Sequence, residues 1–161
     1  MLKKIALISL FLVGCTFETP TEFSKKALDD TFITLENDSI QFRDIIATYK
    51  GKKVLIDIWA SWCKDCILGL PRAKQLQKEF PEVTFLFLSL DKDVTSWKRG
   101  IERFDIKGEH YFMQSGWDGD FGNFLDLNWI PRYLVVNENG FVDLFKSIKV
   151  TDPEIVNALK K

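Results

Sequence analysis

The chain has 161 residues and a mass of 18.7 kDa, the size of one domain. Its apolar content of 46% and charged content of 28% exclude a disordered or polytopic membrane chain, and 22 basic against 23 acidic residues leave no basic footprint for a nucleic-acid partner. Three Cys and one His are too few soft ligands for a zinc finger or an iron–sulfur cluster, and an odd number of cysteines cannot all pair within one chain.

The chain opens with Lys3 and Lys4, followed by an apolar run over residues 5–13 that ends at Gly14-Cys15. A short positive segment before a short apolar one is the layout of a secretory signal, and the run is far below the ~20 residues of a spanning helix. The segment Leu12-Val13-Gly14-Cys15 resembles the bacterial lipobox. That resemblance implies cleavage before Cys15, acylation of Cys15, and anchoring to a membrane by lipid rather than by a spanning helix. The expected organisation is a signal over residues 1–14, a lipidated Cys15 and tether over residues 15–28, and one domain over residues 29–161. It places the protein outside the cytosol, in a bacterial cell envelope and facing the periplasm, where disulfides persist.

Residues 32–35 and 40–42 flank a polar Glu-Asn-Asp-Ser turn and predict a small hairpin. Residues 43–53 read as a loop with a turn at Gly51. The apolar, β-branched run over residues 54–59 predicts a buried central strand interrupted by one acid, Asp57. A helix is expected over residues 66–80 from the spacing of Ile67, Leu70, Ala73, Leu76 and Phe80, with Pro71 inside it. A second buried strand follows over residues 83–90, then a helix carrying Trp97, Ile101 and Phe104 on one face. A short strand is expected over residues 108–112, and the Gly- and Asp-rich residues 116–123 read as loop. Residues 133–136 predict a strand, Asn139-Gly140 a hairpin turn and residues 141–145 its return. Asp152-Pro153-Glu154 reads as the cap and first turn of a terminal helix. Strands alternating with helices indicate a single α/β domain.

The chemistry concentrates in Trp59-Ala60-Ser61-Trp62-Cys63-Lys64-Asp65-Cys66. Two residues between the cysteines place both thiols near one helical turn, within bonding reach. A Cys-x-x-Cys between a strand and a helix, with no second such pair, reads as a redox dithiol rather than half a zinc site. At the helix start the free N–H groups and the macrodipole favour the Cys63 thiolate. Cys63 is therefore the expected exposed nucleophile, and Cys66, one turn inward, the resolving thiol. Lys64 favours that thiolate and Asp65 opposes it, so the reduction potential stays open.

This stretch resembles the active-site segment of the thioredoxin superfamily. Together with the lipobox and Ile130-Pro131, it is most similar to the TlpA/ResA-like thiol–disulfide oxidoreductases. The resemblance implies an α/β thioredoxin-like fold: a central mixed β-sheet flanked by helices, with an N-terminal β-hairpin and a central insertion over residues 91–118. It implies that Asp57 is a buried acid that exchanges protons with Cys66, that Pro71 kinks the helix, and that Pro131 follows a cis bond in a loop beside the dithiol. Trp62, Ile130 and Pro131 would then meet the substrate. Two positions depart from the family: Asp65 stands where Pro is common, and Gly69 where some members carry Glu. The implied function is a membrane-tethered oxidoreductase that reduces protein disulfides, is re-reduced by a membrane-associated electron donor, and uses the Cys63–Cys66 pair with no metal or other cofactor. Two other readings stay open: copper binding by Cys63, Cys66 and His110, and a lipoprotein scaffold whose dithiol is idle.

Overall fold

A computed structural model describes residues 19–161. The signal, Cys15 and the start of the tether lie outside the described residues. The elements run α1 (Lys25–Asp29), β1 (Thr31–Ile33), β2 (Ser39–Gln41), α2 (Phe42–Thr48), β3 (Val54–Trp59), α3 (Lys64–Glu79) and β4 (Thr84–Ser89). They continue with α4 (Val94–Phe104), β5 (Glu109–Phe112), α5 (Asp120–Phe124), β6 (Arg132–Val136), β7 (Val142–Ser147) and α6 (Pro153–Lys160). The strands form one mixed sheet in the order β2-β1-β5-β4-β3-β6-β7, flanked by the helices.

Every residue of β3 and of β6 is buried, which is why these segments are apolar apart from Asp57 in β3 and Arg132 at the start of β6. β3 pairs in parallel with β4 and antiparallel with β6, and β5 adds in parallel to β4. The C-terminal ends of the parallel strands open onto the loop that carries Cys63. The predicted hairpins are present: β1 pairs with β2, and β6 with β7 around a turn in which Gly140 takes φ 91°, a conformation that favours glycine. Pro71 lies inside α3, where it has no N–H to donate.

The structure corrects three expectations. The tether gives way to structure before residue 29. Ser24 Oγ accepts from Ala27 N at 3.2 Å and starts α1, Ala27 is fully buried, and Val142 N donates to Thr21 O at 2.7 Å. The loop expected over residues 43–53 begins instead as α2, whose Phe42 and Ile45 are fully buried. Part of the loop expected over residues 116–123 is α5. Its start is capped from a distance, because Asp30 Oδ2 accepts from Phe121 N at 2.8 Å and from Ser115 Oγ at 2.9 Å. One aromatic cluster explains all three: Phe23 packs edge-on to Phe42 at 4.9 Å between ring centroids, and Phe42 meets Phe121 at 4.5 Å. Each segment is too short to hold a helix alone, and burial of these rings holds all of them. The central insertion over residues 91–118 is structured. It supplies α4 and β5, and β5 sits inside the sheet between β4 and β1.

Candidate active site

β3 ends at Trp59, the chain turns through residues 60–62, and α3 starts at Lys64 with Cys63 as its N-cap. Cys63 and Cys66 form a disulfide with Cα atoms 5.3 Å apart. Cys63 Sγ accepts a hydrogen bond from Cys66 N at 3.1 Å. Once the bond is reduced, an N–H in this position acts with the helix macrodipole to favour the thiolate over the thiol. The expectation of an exposed Cys63 needs correction. It is 6% exposed against 3% for Cys66, because the residues around it close over its side chain. The two sulfurs still differ in access: Cys63 lines an open groove of about 370 Å³, and Cys66 does not.

The turn is fixed from below. Asp91, at the end of β4, accepts from Ser61 N at 3.1 Å, from Ser61 Oγ at 2.6 Å and from Ser89 Oγ at 2.8 Å. These bonds hold the backbone that presents Trp62, which is 53% exposed. The facing wall of the groove comes from the loop before β6. The Ile130–Pro131 bond is cis, and the Ile130 carbonyl oxygen lies 3.8 Å from Cys63 Sγ. Arg132 holds this loop by donating through one guanidinium nitrogen to Asn128 Oδ1 at 3.2 Å and to Trp129 O at 3.3 Å. The structure therefore brings Trp62 and Ile130 to Cys63, with Pro131 directly behind Ile130.

Asp57 lies in the middle of β3, 5% exposed, and its Oδ1 has no hydrogen-bond partner. Burial pushes its carboxyl up to about 8, because the charged form loses its hydration and gains no compensating partner. The acid is poised to change protonation near neutral pH.

Trp117, Asn128 and Trp129 also line the groove, and none was singled out from the sequence. Trp129 is 58% exposed. The available signal was its place directly before Ile130-Pro131, the segment already tied to the dithiol. His110 does not join Cys63 and Cys66. It sits on β5 with its ring stacked on Phe87 at 5.3 Å and its Nε2 3.1 Å from Ile106 O. Among the described residues, no three His, Cys, Asp or Glu side chains come together as a metal-ion set. The three-ligand copper site weighed from the sequence is thereby withdrawn.

A dithiol pair at the start of the helix that follows a central strand, beside a cis-proline loop, defines a thioredoxin-like protein. A family described as thioredoxin-like matches residues 51–142, and the chain belongs to it. It is 27% identical to the thioredoxin-like protein YneN of Bacillus subtilis over 158 residues, covering 88% of each chain. It is 30% identical to the thiol-disulfide oxidoreductase ResA of Bacillus thuringiensis over 94 residues, 57% of this chain and 52% of ResA, so the chain spans about half the length of that relative. The solution structure of a Bacteroides vulgatus protein described as a thiol-disulfide oxidoreductase superposes with a TM-score of 0.69 at 25% identity, over 86% of this chain and 88% of that one. The fold is shared with a secreted disulfide oxidoreductase of Mycobacterium tuberculosis, with a TM-score of 0.63 at 18% identity over 85% and 98% of the two chains. The chain is an enzyme of the thiol–disulfide oxidoreductase class.

Proposed function

We propose that the protein is an extracytoplasmic, lipid-anchored oxidoreductase that reduces disulfides in other proteins through Cys63 and Cys66. The observation that carries this reading is the Cys66 N–H bonded to Cys63 Sγ at the start of α3, with Cys63 at the floor of an open groove. In the reduced enzyme the Cys63 thiolate attacks one sulfur of a substrate disulfide. A mixed disulfide forms and one substrate thiolate leaves. Cys66 then gives up its proton to ionised Asp57 and attacks Cys63 Sγ. The Cys63–Cys66 bond closes, the second substrate thiolate leaves, and two electrons have passed to the substrate. Trp62 and Ile130 flank the substrate chain, and Pro131 fixes the loop that carries Ile130.

A membrane-associated donor of two electrons, itself a dithiol, regenerates the enzyme by the reverse exchange. Acylation of Cys15 supplies the anchor, which suits a donor held in the same membrane. No helix among the described residues is long and apolar enough to cross a membrane. Redox chemistry needs only the two sulfurs, with no further cofactor.

The test is Cys66→Ser in the source cell, because loss of the resolving thiol leaves the mixed disulfide on Cys63 uncleaved. The expected product is a membrane-associated covalent adduct, sensitive to dithiothreitol and identifiable by mass spectrometry. Cys15→Ala should shift the same adduct out of the membrane fraction. Absence of any adduct under both reducing and oxidising growth would contradict the oxidoreductase reading, and an unchanged membrane fraction for Cys15→Ala would contradict the anchor.

A further inference from the structure

The groove that holds Cys63 does not end at the dithiol. Asp65 and Trp129 line it, and the same two residues line a second groove of about 380 Å³, so the two are continuous. The second groove lies between α3 and the loop before α6. Leu68 and Ile148 stand on it 68% and 53% exposed, while Tyr133 and Val150 are buried beneath. Among the described residues six large apolar side chains are exposed, and four of them, Trp62, Leu68, Trp129 and Ile148, line these two grooves. The other two, Leu35 and Phe141, belong to the β1–β2 and β6–β7 turns. Exposed apolar side chains standing singly are ordinary, whereas a contiguous set marks a surface that takes a partner. The charged groups on the second groove, Asp65 and Lys149, are of opposite sign and select neither an acidic nor a basic chain.

Cys63 decides what can sit here. It is 6% exposed, so its sulfur is reached only by a disulfide that enters the groove. A second copy of this chain, or a lipid surface, laid over the four apolar side chains would cover Cys63 and shut the enzyme. The occupant that the chemistry requires is the stretch of substrate next to the cysteine that bonds to Cys63. From Cys63 to Leu68 the helix rises by about 7.5 Å, at ~1.5 Å per residue. An extended chain advances ~3.3 Å per residue, so the second groove meets a side chain about two or three positions from the substrate cysteine.

We propose that the groove of Leu68 and Ile148 is a specificity subsite, which takes a large apolar side chain two or three positions from the reactive cysteine of the substrate. This rests on the proposed attack of Cys63 on protein disulfides. Trp129 stands at the junction and packs against the substrate chain between its cysteine and its apolar residue. A chain that offers a disulfide and a large apolar side chain together, in extended form, is one whose core has not closed, because folded proteins bury most such side chains. The substrate class is therefore an incompletely folded protein rather than a folded one with a disulfide on its surface.

The test uses the full-length reduced protein and synthetic peptides with a single cysteine, capped as a mixed disulfide with thionitrobenzoate. Attack by Cys63 on the peptide sulfur expels the coloured thiolate, which is the better leaving group. The rate of this step is independent of the direction in which the enzyme works in the cell. Peptides with Phe two or three positions before or after the cysteine are compared with one that has Ser at all of these positions. At least one Phe peptide should react about tenfold faster than the Ser peptide. In Leu68→Lys and in Ile148→Lys that preference should shrink to about twofold or less, with the Ser peptide as the reference within each protein. Both substitutions fall at exposed positions, and either variant decides alone if the other fails to fold. Equal rates for all peptides in the parent, or a preference that survives the substitutions, would overturn the subsite. So would a parent dimer that dissociates in Leu68→Lys, measured by sedimentation, because a second copy would then be the occupant. Adducts trapped by Cys66→Ser alongside equal peptide rates would remove the subsite and leave the oxidoreductase standing. Release of thionitrobenzoate from none of the peptides would contradict attack by Cys63 itself.

Discussion

Replacing Cys63 by Ala is expected to abolish catalysed reduction of a protein disulfide, with turnover falling at least ~10³-fold to the uncatalysed rate, while the fold persists. Two features make the effect this large. Cys63 is the sulfur that reaches the groove, and it alone receives the Cys66 N–H at the helix start. Cys66, 3% exposed and not among the residues that line that groove, is not expected to substitute for it. Insulin reduction assayed with dithiothreitol as the electron source measures the loss. Retention of more than a tenth of the activity in Cys63→Ala would show that another thiol attacks. The contrast with Cys66→Ser is diagnostic, because that variant still attacks once and stalls as an adduct.

Asp57→Asn is expected to make the oxidised protein more stable and less active. The folded-state carboxyl titrates at about 8, raised by burial, whereas an unfolded Asp titrates near 3.9. Below about pH 4 both states hold the proton, and the acid costs nothing on this account. As pH rises from there, the unfolded chain releases its proton and the folded chain does not, so stability declines by about 1.4 kcal/mol per pH unit until about pH 8, then levels off. At pH 7 the accumulated loss is on the order of 4 kcal/mol. Asn carries no such titration but buries an amide that also lacks a partner, which returns about 1–2 kcal/mol of the gain. The net expectation is a variant more stable by roughly 2–3 kcal/mol at pH 7 and no more stable than the parent at pH 4. Urea unfolding of the oxidised proteins at the two pH values measures this. Turnover should fall by about 10²-fold, because Cys66 loses its proton acceptor. A parent whose stability does not decline between pH 4 and 8 would show that Asp57 is not held protonated.

The contrast between these sites and the rest of the chain shows what a sequence can carry. Strand β3, the Cys-x-x-Cys and helix α3 were legible because their signals are local: an apolar run broken by a single acid, a dithiol spacing, and helical periodicity from Ile67 to Phe80. The buried acid and the cis-proline came through family resemblance, not through any pattern in the residues themselves. Helices α1, α2 and α5 were not legible, because what stabilises them is the contact of Phe23, Phe42 and Phe121 across long sequence separations, and the cap on α5 comes from Asp30. The burial of Cys63 follows from neighbours far along the chain, Ile130 among them, and local polarity gives no hint of it. Leu68 and Ile148 carried no signal either. They share a groove only through the way α3 and the loop before α6 meet, and no local spacing encodes it. The functional residues that sequence missed are therefore those whose meaning depends on packing between elements.

In the proposed function, Cys63 and Cys66 interconvert between disulfide and dithiol so as to pass electrons to substrate disulfides. The most direct measurement is the reduction potential of that pair in the full-length protein, from mass-spectrometric counting of alkylated thiols across dithiothreitol and glutathione buffers. The expected result is one reversible two-electron transition, assigned to Cys63 and Cys66 alone, well below the value of about −120 mV typical of strongly oxidising disulfide donors. A transition at about −120 mV would reverse the proposed direction of the enzyme, and the absence of any reversible transition would show that Cys63 and Cys66 are not a redox pair.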